Sequence, residues 1–590
     1  MAALDWIIVA AFLALNVGIG FWFSRRASRS VEDFFVGGRT IPWWLAGTAI
    51  LTGSFASDTP LHTTKMIREK GLAGAWFYWG AIFGGVVIAL VFSRLWRRTR
   101  VITDNELIEL RYTGRPASFL RGGMATFKTL ALEVITMAWI TVGMTKIVKV
   151  IMDLPDKVAV PVFGSMPTDV LVVAALLVFA AAFCMASGFY GVVATDLLEF
   201  GTAITGAIVL GVVAFDRVGG IDGLRDGLAA VPAGEGALDF LPQWDAEGFS
   251  ALVIGVYLGV QWWAHPYVDG SGHRAQRFLA SKDERNAIAS GLWSLAVTFI
   301  IRSWPWYVTA LASLVLYPTV VDHEAVYPQM VVDLLPIGLK GLMVASFVSA
   351  FMGTMESHYN LTASYVVNDV YKRFVAKQGT PEHYVRASRV ATVSIAVTAG
   401  LVSLLFSSVL DAFLFKMELM AGLGLLYLLR WFWWRVNAVT ELVALAGTVV
   451  CALTLKFLPL TSGGGANGSA IRLLLVVGIT GALALITAFL TRPEPTEHLV
   501  EFYRRVRPPG WWGPVASAAG GKLPSGFGLH TLGQGLIAVV FVFGCMIGLG
   551  KLILGEPVLG GTLFAIGIAC GVLAIRAVLR SRSEEELAGE

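Results

Sequence analysis

The run TGSFASDTP, residues 52–60, decides how the rest of the chain is read. It lies inside a mostly apolar stretch, 42–68, of the length needed to cross a bilayer. Within that stretch it places Gly53, Pro60, the ionisable Asp58 and the hydroxyls of Thr52, Ser54, Ser57 and Thr59. Pro60 removes a backbone donor, and in a continuous helix its ring clashes with the carbonyl one turn back, at Ala56. Interrupted backbone persists at membrane depth only where it lines a cavity. Discontinuous helices at the midplane are also where transporters hold ions and solutes. A plain proline kink is the other reading of the same residues.

The surrounding chain agrees with a membrane setting. Of 590 residues, 56% are apolar and 15% charged, with a mean hydropathy of +0.70. Soluble domains carry roughly a quarter charged residues, so a soluble class is excluded. A net charge of +4, dispersed along the chain, excludes a nucleic-acid partner. Cys184, Cys451, Cys545 and Cys570 fall in apolar runs without CxxC spacing and read as small packing residues.

The expected fold is an all-α polytopic membrane protein of about 15 transmembrane helices, multi-pass in the plasma membrane. Its expected divisions are an N-terminal helix and loop (1–41), a first group of helices (42–216) and an acidic outer loop (217–249). A second group follows (250–435), then two helices (436–491), a Pro-containing linker (492–531), two last helices (532–580) and a charged tail (581–590). Within these groups 168–187 and 190–215 read as separate helices. Arg25, Arg26 and Arg29 follow the first apolar stretch and no Lys or Arg precedes it, so it reads as a retained helix, not a signal peptide. Lys and Arg concentrate in the loops that this topology places inside, while 216–249 is acidic. The N-terminus is therefore expected outside and the C-terminus inside.

Ionisable residues in membrane helices cost a few kcal/mol each, so they face cavities or partners. This chain places Asp58, His62, Glu133, Asp196, Glu199, His265, Arg302, Glu356, His358, Lys416 and Glu418 in apolar stretches. Either they are structural ion pairs or they form a polar path, and their spread over many helices favours the path. The ninth stretch, 336–368, adds Ser349, Ala350, Gly353, Thr354 and Ser357 at three- and four-residue spacing, a small face carrying oxygens. Close helix packing explains such a face as well as cation binding does.

At these residues the chain resembles the sodium:solute symporter family. The matching segments are DFFVGGRTIPWWLAGTAILTGSFASDTP (33–60), NELIELRY (105–112), GVVATDLLEF (191–200), QRFLASKDER (276–285) and NDVYKRF (368–374). The resemblance covers about residues 1–440. It implies a leucine-transporter-type bundle of two inverted five-helix repeats and a co-transported sodium ion. It also implies sodium ligands at the carbonyls of Thr52, Phe55 and Ala350 and at positions 353 and 354. Thr354 keeps a hydroxyl, whereas Gly353 stands where the family pattern has serine. Asp196, Glu356 and Ser357 match a second ion site or a proton path, with Glu356 the candidate to replace the missing oxygen.

Solute contacts implied by the resemblance fall on Asp58, Thr59, Trp76, Trp79, Gln261, Trp263, His265, Arg302 and Glu418. Arg302 either pairs with Asp58 or Glu356 or clamps an anionic solute. The polar segment AHPYVDGSGHRA (264–275) reads as a cytoplasmic gate. The expected function is a symporter that couples inward sodium flux to uptake of a small polar organic solute, with the lipid bilayer as surroundings and the oligomeric state open. Proton coupling on the same fold and a non-transporting sensor are the alternatives. An enzyme is disfavoured, because no HExxH, nucleophile elbow or phosphate loop occurs.

Overall fold

The structure, a computed structural model, describes residues 1–27, 37–160, 164–242, 250–265, 267–406, 408–409, 416–417, 420–456, 458, 466–520 and 529–580. Among these, nine helices are long and apolar enough to cross a membrane. The principal elements begin with α1 (Ala3–Ala27), the half-helices α2 (Trp43–Thr52) and α3 (Thr59–Lys70), α4 (Leu72–Thr99) and α5 (Gly114–Ile151). After the strands β1 (Lys157–Val160) and β2 (Gly164–Pro167) come α6 (Thr168–Arg217), α7 (Ala251–Gln261), α8 (His273–Ala280), α9 (Glu284–Leu316) and α10 (Leu339–Ser364). The chain continues through α11 (Pro381–Ser403), α12 (Leu423–Phe432), α13 (Ala438–Lys456), α14 (Ala466–Leu490), α15 (Thr496–Val506), α16 (Leu529–Ile553) and α17 (Pro557–Arg580).

The interruption expected at 52–60 is present, but Pro60 plays another part. It occupies the first turn of α3, where no intrahelical donor is needed and the fixed φ suits the helix. The chain leaves α2 at Gly53 and runs to Asp58 without a regular helix. No clash with the Ala56 carbonyl arises, because that carbonyl lies before the new helix begins.

Three further expectations are corrected. The stretches 168–187 and 190–215 form one helical element, α6, with no loop at 188–189; nothing in Ser187-Gly188-Phe189-Tyr190-Gly191 removes a backbone donor as proline would. The fold is not all-α, since β1 and β2 pair antiparallel from Lys157 opposite Pro167 to Val160 opposite Gly164. The segment 492–531 is not a bare tether. In α15, Leu499, Phe502, Tyr503 and Val506 recur at helical spacing and are buried, and Trp512 donates its indole N–H to the Trp431 carbonyl at 2.8 Å.

Turns of π-helix interrupt several spans, at Ile88–Phe92, Lys128–Glu133, Tyr257–Gln261, Val297–Arg302 and Tyr365–Val375. Such turns favour functional positions, and three end on a polar residue inside the bundle: Glu133, Gln261 and Arg302. α1 packs on α10. Asp5 Oδ1 accepts from the Gly338 and Gly341 amides at 2.7 and 2.9 Å, which satisfies donors at the start of α10 and complements its dipole. At the other end of the chain, α16 lies on α9. Trp304 donates to the Met546 carbonyl at 2.9 Å, and any β-carbon at Gly550 would run into the Trp304 ring.

Candidate functional site

The break brings α2 against α10. The Thr52 carbonyl accepts from the Phe55 amide at 3.1 Å and from the Thr354 hydroxyl at 3.1 Å. Ala350, Gly353 and Thr354 lie buried on the same stretch of α10. Phe55 is buried too, its ring edge-on to Phe200 at 6.2 Å and tilted on Trp306 at 5.2 Å. The oxygen-bearing face of α10 and the end of α2 are thus in direct contact.

The serine hydroxyl missing at 353 has a replacement that sequence reading did not find. A β-carbon on Gly353 would collide with Glu199 Oε2, a carboxyl oxygen from α6. That oxygen is buried and accepts no hydrogen bond from any described residue, while Oε1 accepts from Asn16 Nδ2 of α1 at 2.9 Å. Ser349 and Ser346 donate to the carbonyls of Glu199 and Ala203 at 2.8 and 2.9 Å, which clamps α6 onto α10 at this level. The carboxyl beside Gly353 is therefore Glu199 and not Glu356. Glu356 is buried, and neither of its carboxyl oxygens has a hydrogen-bond partner among the described residues.

A carbonyl, a hydroxyl and an uncompensated carboxyl oxygen converge here. Hard cations choose such oxygen donors, and an isolated carboxylate at membrane depth needs a countercharge. The donor set fits a sodium ion. No group of three His, Cys, Asp or Glu side chains among the described residues could hold a metal by itself, so a cation here depends on backbone and hydroxyl oxygens. Near the expected second-ion residues stands a guanidinium. Arg277 donates to Ser357 Oγ at 2.9 Å and its charge acts on Asp196.

Beside this pocket a cavity of about 410 Å³ is lined by both halves of the broken helix and by α5, α7 and α9. Asp58, Thr59, Gln261, His265 and Arg302 line it as expected from the sequence. Trp76, Trp79 and Trp263 do not. Trp79 is buried and donates to Tyr307 Oη at 3.0 Å, Trp76 donates to the Phe240 carbonyl at 2.7 Å and stacks on Phe543, and Trp263 donates to the Gly259 carbonyl at 2.7 Å. Their N–H groups are spent on structure, and Trp262 faces the cavity instead of its neighbour. Glu418 lies outside the described residues.

Arg302 pairs with neither Asp58 nor Glu356 through a salt bridge. It donates to the Ser54 carbonyl at 3.1 Å, inside the helix break, and lies over the rings of Phe55 and Trp306. His62 shares a hydrogen bond with Tyr78 Oη at 2.6 Å and approaches Asp58 at 3.8 Å. Glu133 accepts from Tyr267 Oη at 2.6 Å and pairs with His358. Lys416 donates to Thr136 Oγ1 at 2.6 Å, with its ammonium over the Trp139 and Tyr267 rings. The segment read as a gate, 264–275, places Tyr267, His273 and Arg274 in the cavity wall.

The remaining quoted segments interlock. Asn105 and Arg121 donate to the Asp369 carboxylate at 3.1 and 2.7 Å, Asn368 donates to Glu106 at 2.8 Å, and Arg373 donates to Glu109 at 3.0 Å. NELIELRY and NDVYKRF are thus two sides of one polar seam. In the loop after α9, Glu324 accepts from Lys146 at 2.6 Å and Ser408 at 3.1 Å, with Lys65 at 3.7 Å. Burial opposes its charge, but the hydrogen bond and charge of Lys146, then Lys65, hold the Glu324 carboxyl below its ordinary range.

These features are those of a multi-pass transport protein, and comparison with known proteins agrees. The sodium:solute symporter family profile matches residues 34–450, and the chain belongs to that family. It is 23% identical over 488 residues to a sodium/glucose cotransporter of Vibrio parahaemolyticus, covering 78% of this chain and 86% of that one. It is 22% identical over 476 residues to the sodium/sialic acid symporter of Proteus mirabilis, covering 77% and 90%. A solved structure of a Na+-coupled sialic acid symporter, substrate-bound and outward-open, shares the fold with a TM-score of 0.65 at 18% identity over 84% of this chain and 99% of that one. Sodium is the ion of this family.

Proposed function

We propose that the protein is a secondary active symporter in the plasma membrane that couples inward sodium flux to uptake of a small polar organic solute by alternating access. Sodium binds between the Thr52 and Phe55 carbonyls of the broken helix, the Ala350 carbonyl and Thr354 hydroxyl of α10, and the Glu199 carboxylate, which takes the place of a serine at 353. The observation that carries this reading is the Thr354–Thr52 hydrogen bond at 3.1 Å beside a buried carboxyl oxygen without a partner among the described residues. A cation entering there replaces that hydrogen bond with coordination and so ties α10 to the break. Movement of the break then alternates the exposure of the adjoining cavity. Two inverted repeats (42–216 and 250–435), about fifteen crossings, an outer N-terminus and an inner C-terminus complete the reading. The relatives that carry glucose or sialic acid support a small polar solute in the cavity.

The test is thermal stabilisation of the purified protein by sodium against choline, since a ligand of the folded state raises its melting point. Wild type gains stability in sodium and Thr354→Ala loses the gain at limiting sodium; equal curves in sodium and choline would end this reading. A second reading, proton coupling, draws on the buried carboxyls of Asp196, Glu199 and Glu356. Uptake driven by a pH gradient in choline, unchanged by sodium, would favour it.

A further inference from the structure

Among the described residues, three permanently or ordinarily cationic side chains, Arg274, Arg302 and Lys416, line the cavity, against one carboxylate, Asp58. Arg302 is engaged at the helix break and Lys416 donates to Thr136. Behind the wall, Glu133 serves His358 and Tyr267 and is the acidic neighbour of Lys416. Arg274 differs, because no hydrogen bond or ion pair joins it to any described residue; its electrostatic neighbours are the Tyr267 phenol, the His265 and His273 rings and the Arg302 guanidinium. A guanidinium is a fork of donors made for a carboxylate, and leaving it unpaired inside a membrane protein is costly. Asp58 presents the opposite need, with a buried Oδ1 that accepts no hydrogen bond from any described residue.

We propose that the transported solute is an organic carboxylate, its anionic group held by Arg274 and Lys416 and its hydrogen-bond donors taken by Asp58. This deepens and rests on the symporter reading above. The solute supplies the counter-ion that Arg274 lacks, and Trp262, Trp139 and Tyr267 give flat walls for its carbon frame. An anion here also suits its neighbour: a sodium ion held beside Thr354, which lines the same cavity, attracts the solute's charge and is attracted by it.

The cavity's sign is read without knowing the solute. In the full chain with its native cysteines replaced, Thr298→Cys places a thiol in the wall. Its modification rates by anionic and cationic methanethiosulfonates are each divided by the rate with a free thiol. The expected result is a preference of about tenfold or more for the anionic reagent, as fields inside clefts produce, reduced several-fold by Arg274→Gln. Equal corrected rates, or a cationic preference, overturn the proposal. With sodium present, one of lactate, gluconate, glucuronate or N-acetylneuraminate protects the thiol, whereas glucose, mannose and glycerol do not. Protection by the neutral set, or by neither set, also overturns it. Sodium-dependent melting of the same sample judges the symporter reading separately. Anion preference without a sodium response removes that reading and spares the cavity's charge; a sodium response without anion preference does the reverse.

Discussion

The proposed ion pocket and the proposed solute cavity meet at Thr354 and are built with opposite charge. The pocket draws a carboxyl from α6, is buried, and leaves an acidic oxygen without a hydrogen-bond partner among the described residues. The cavity gathers Arg274, Arg302 and Lys416 among aromatic walls and leaves a guanidinium without a partner among the described residues. Each region lacks the countercharge its cargo would bring. Coupling in such an arrangement needs no wire between distant sites, because a cation and an anion stabilise one another across a few ångströms of low-dielectric interior.

The comparison breaks most severely at Glu199. Glu199→Gln keeps the shape beside Gly353 and removes the charge. Sodium-driven uptake should fall by about two orders of magnitude or more, in line with the 3–5 kcal/mol lost when one partner of a buried charge pair is removed. Normal sodium affinity in that variant would detach the carboxyl from the ion. Thr354→Ala is next, with an expected rise of about tenfold in the half-saturating sodium concentration, or ~1.4 kcal/mol. Melting in choline should change far less.

Smaller effects sharpen the picture. Asn16→Ala frees one oxygen of Glu199 and should cost about 1–2 kcal/mol of stability, with a sodium affinity only a few-fold weaker. If the Arg277 guanidinium beside Ser357 takes the second ion's place, sodium activation should follow a Hill coefficient of about one; clear sigmoidality in wild type would place a second sodium beside Asp196. The smallest expected effect is at the rim. Because the Glu324 carboxyl is held below its ordinary value, its stabilisation is present at neutral pH and lost as pH falls through that lowered value. Wild type should therefore melt above Glu324→Gln by about 1 kcal/mol of stability at pH 7, and the two should converge as acid protonates that carboxyl in the folded state.

The parts legible in the sequence were those in which local composition contradicts the surroundings. Glycine, proline and hydroxyls inside an apolar stretch announced the break, and the small face of α10 announced its partner. Pro60 was misplaced because the same residue ends one helix or begins another, and only the path of residues 53–58 decides which. Glu199 was missed because its nearness to Gly353 is a tertiary contact. Glu356 was preferred because it lies one turn away on the same helix. The 264–275 segment read as a gate because it is polar, and its direction into the cavity depends on the turn before α8. Trp76, Trp79 and Trp263 were drawn in by residue type, while their indole N–H groups were already committed to carbonyl and phenol partners.

The Asn16–Glu199 hydrogen bond gives the first helix an unusual standing. With Asp5 seated at the head of α10 and Asn16 on the carboxyl beside Gly353, α1 touches both ends of the apparatus that would grip the cation. A fluorophore attached to the N-terminal end of α1 would then report ion occupancy from the protein's periphery. Conversely, an affinity tag that unseats α1 would be felt as a weakened appetite for sodium by a molecule that otherwise folds normally.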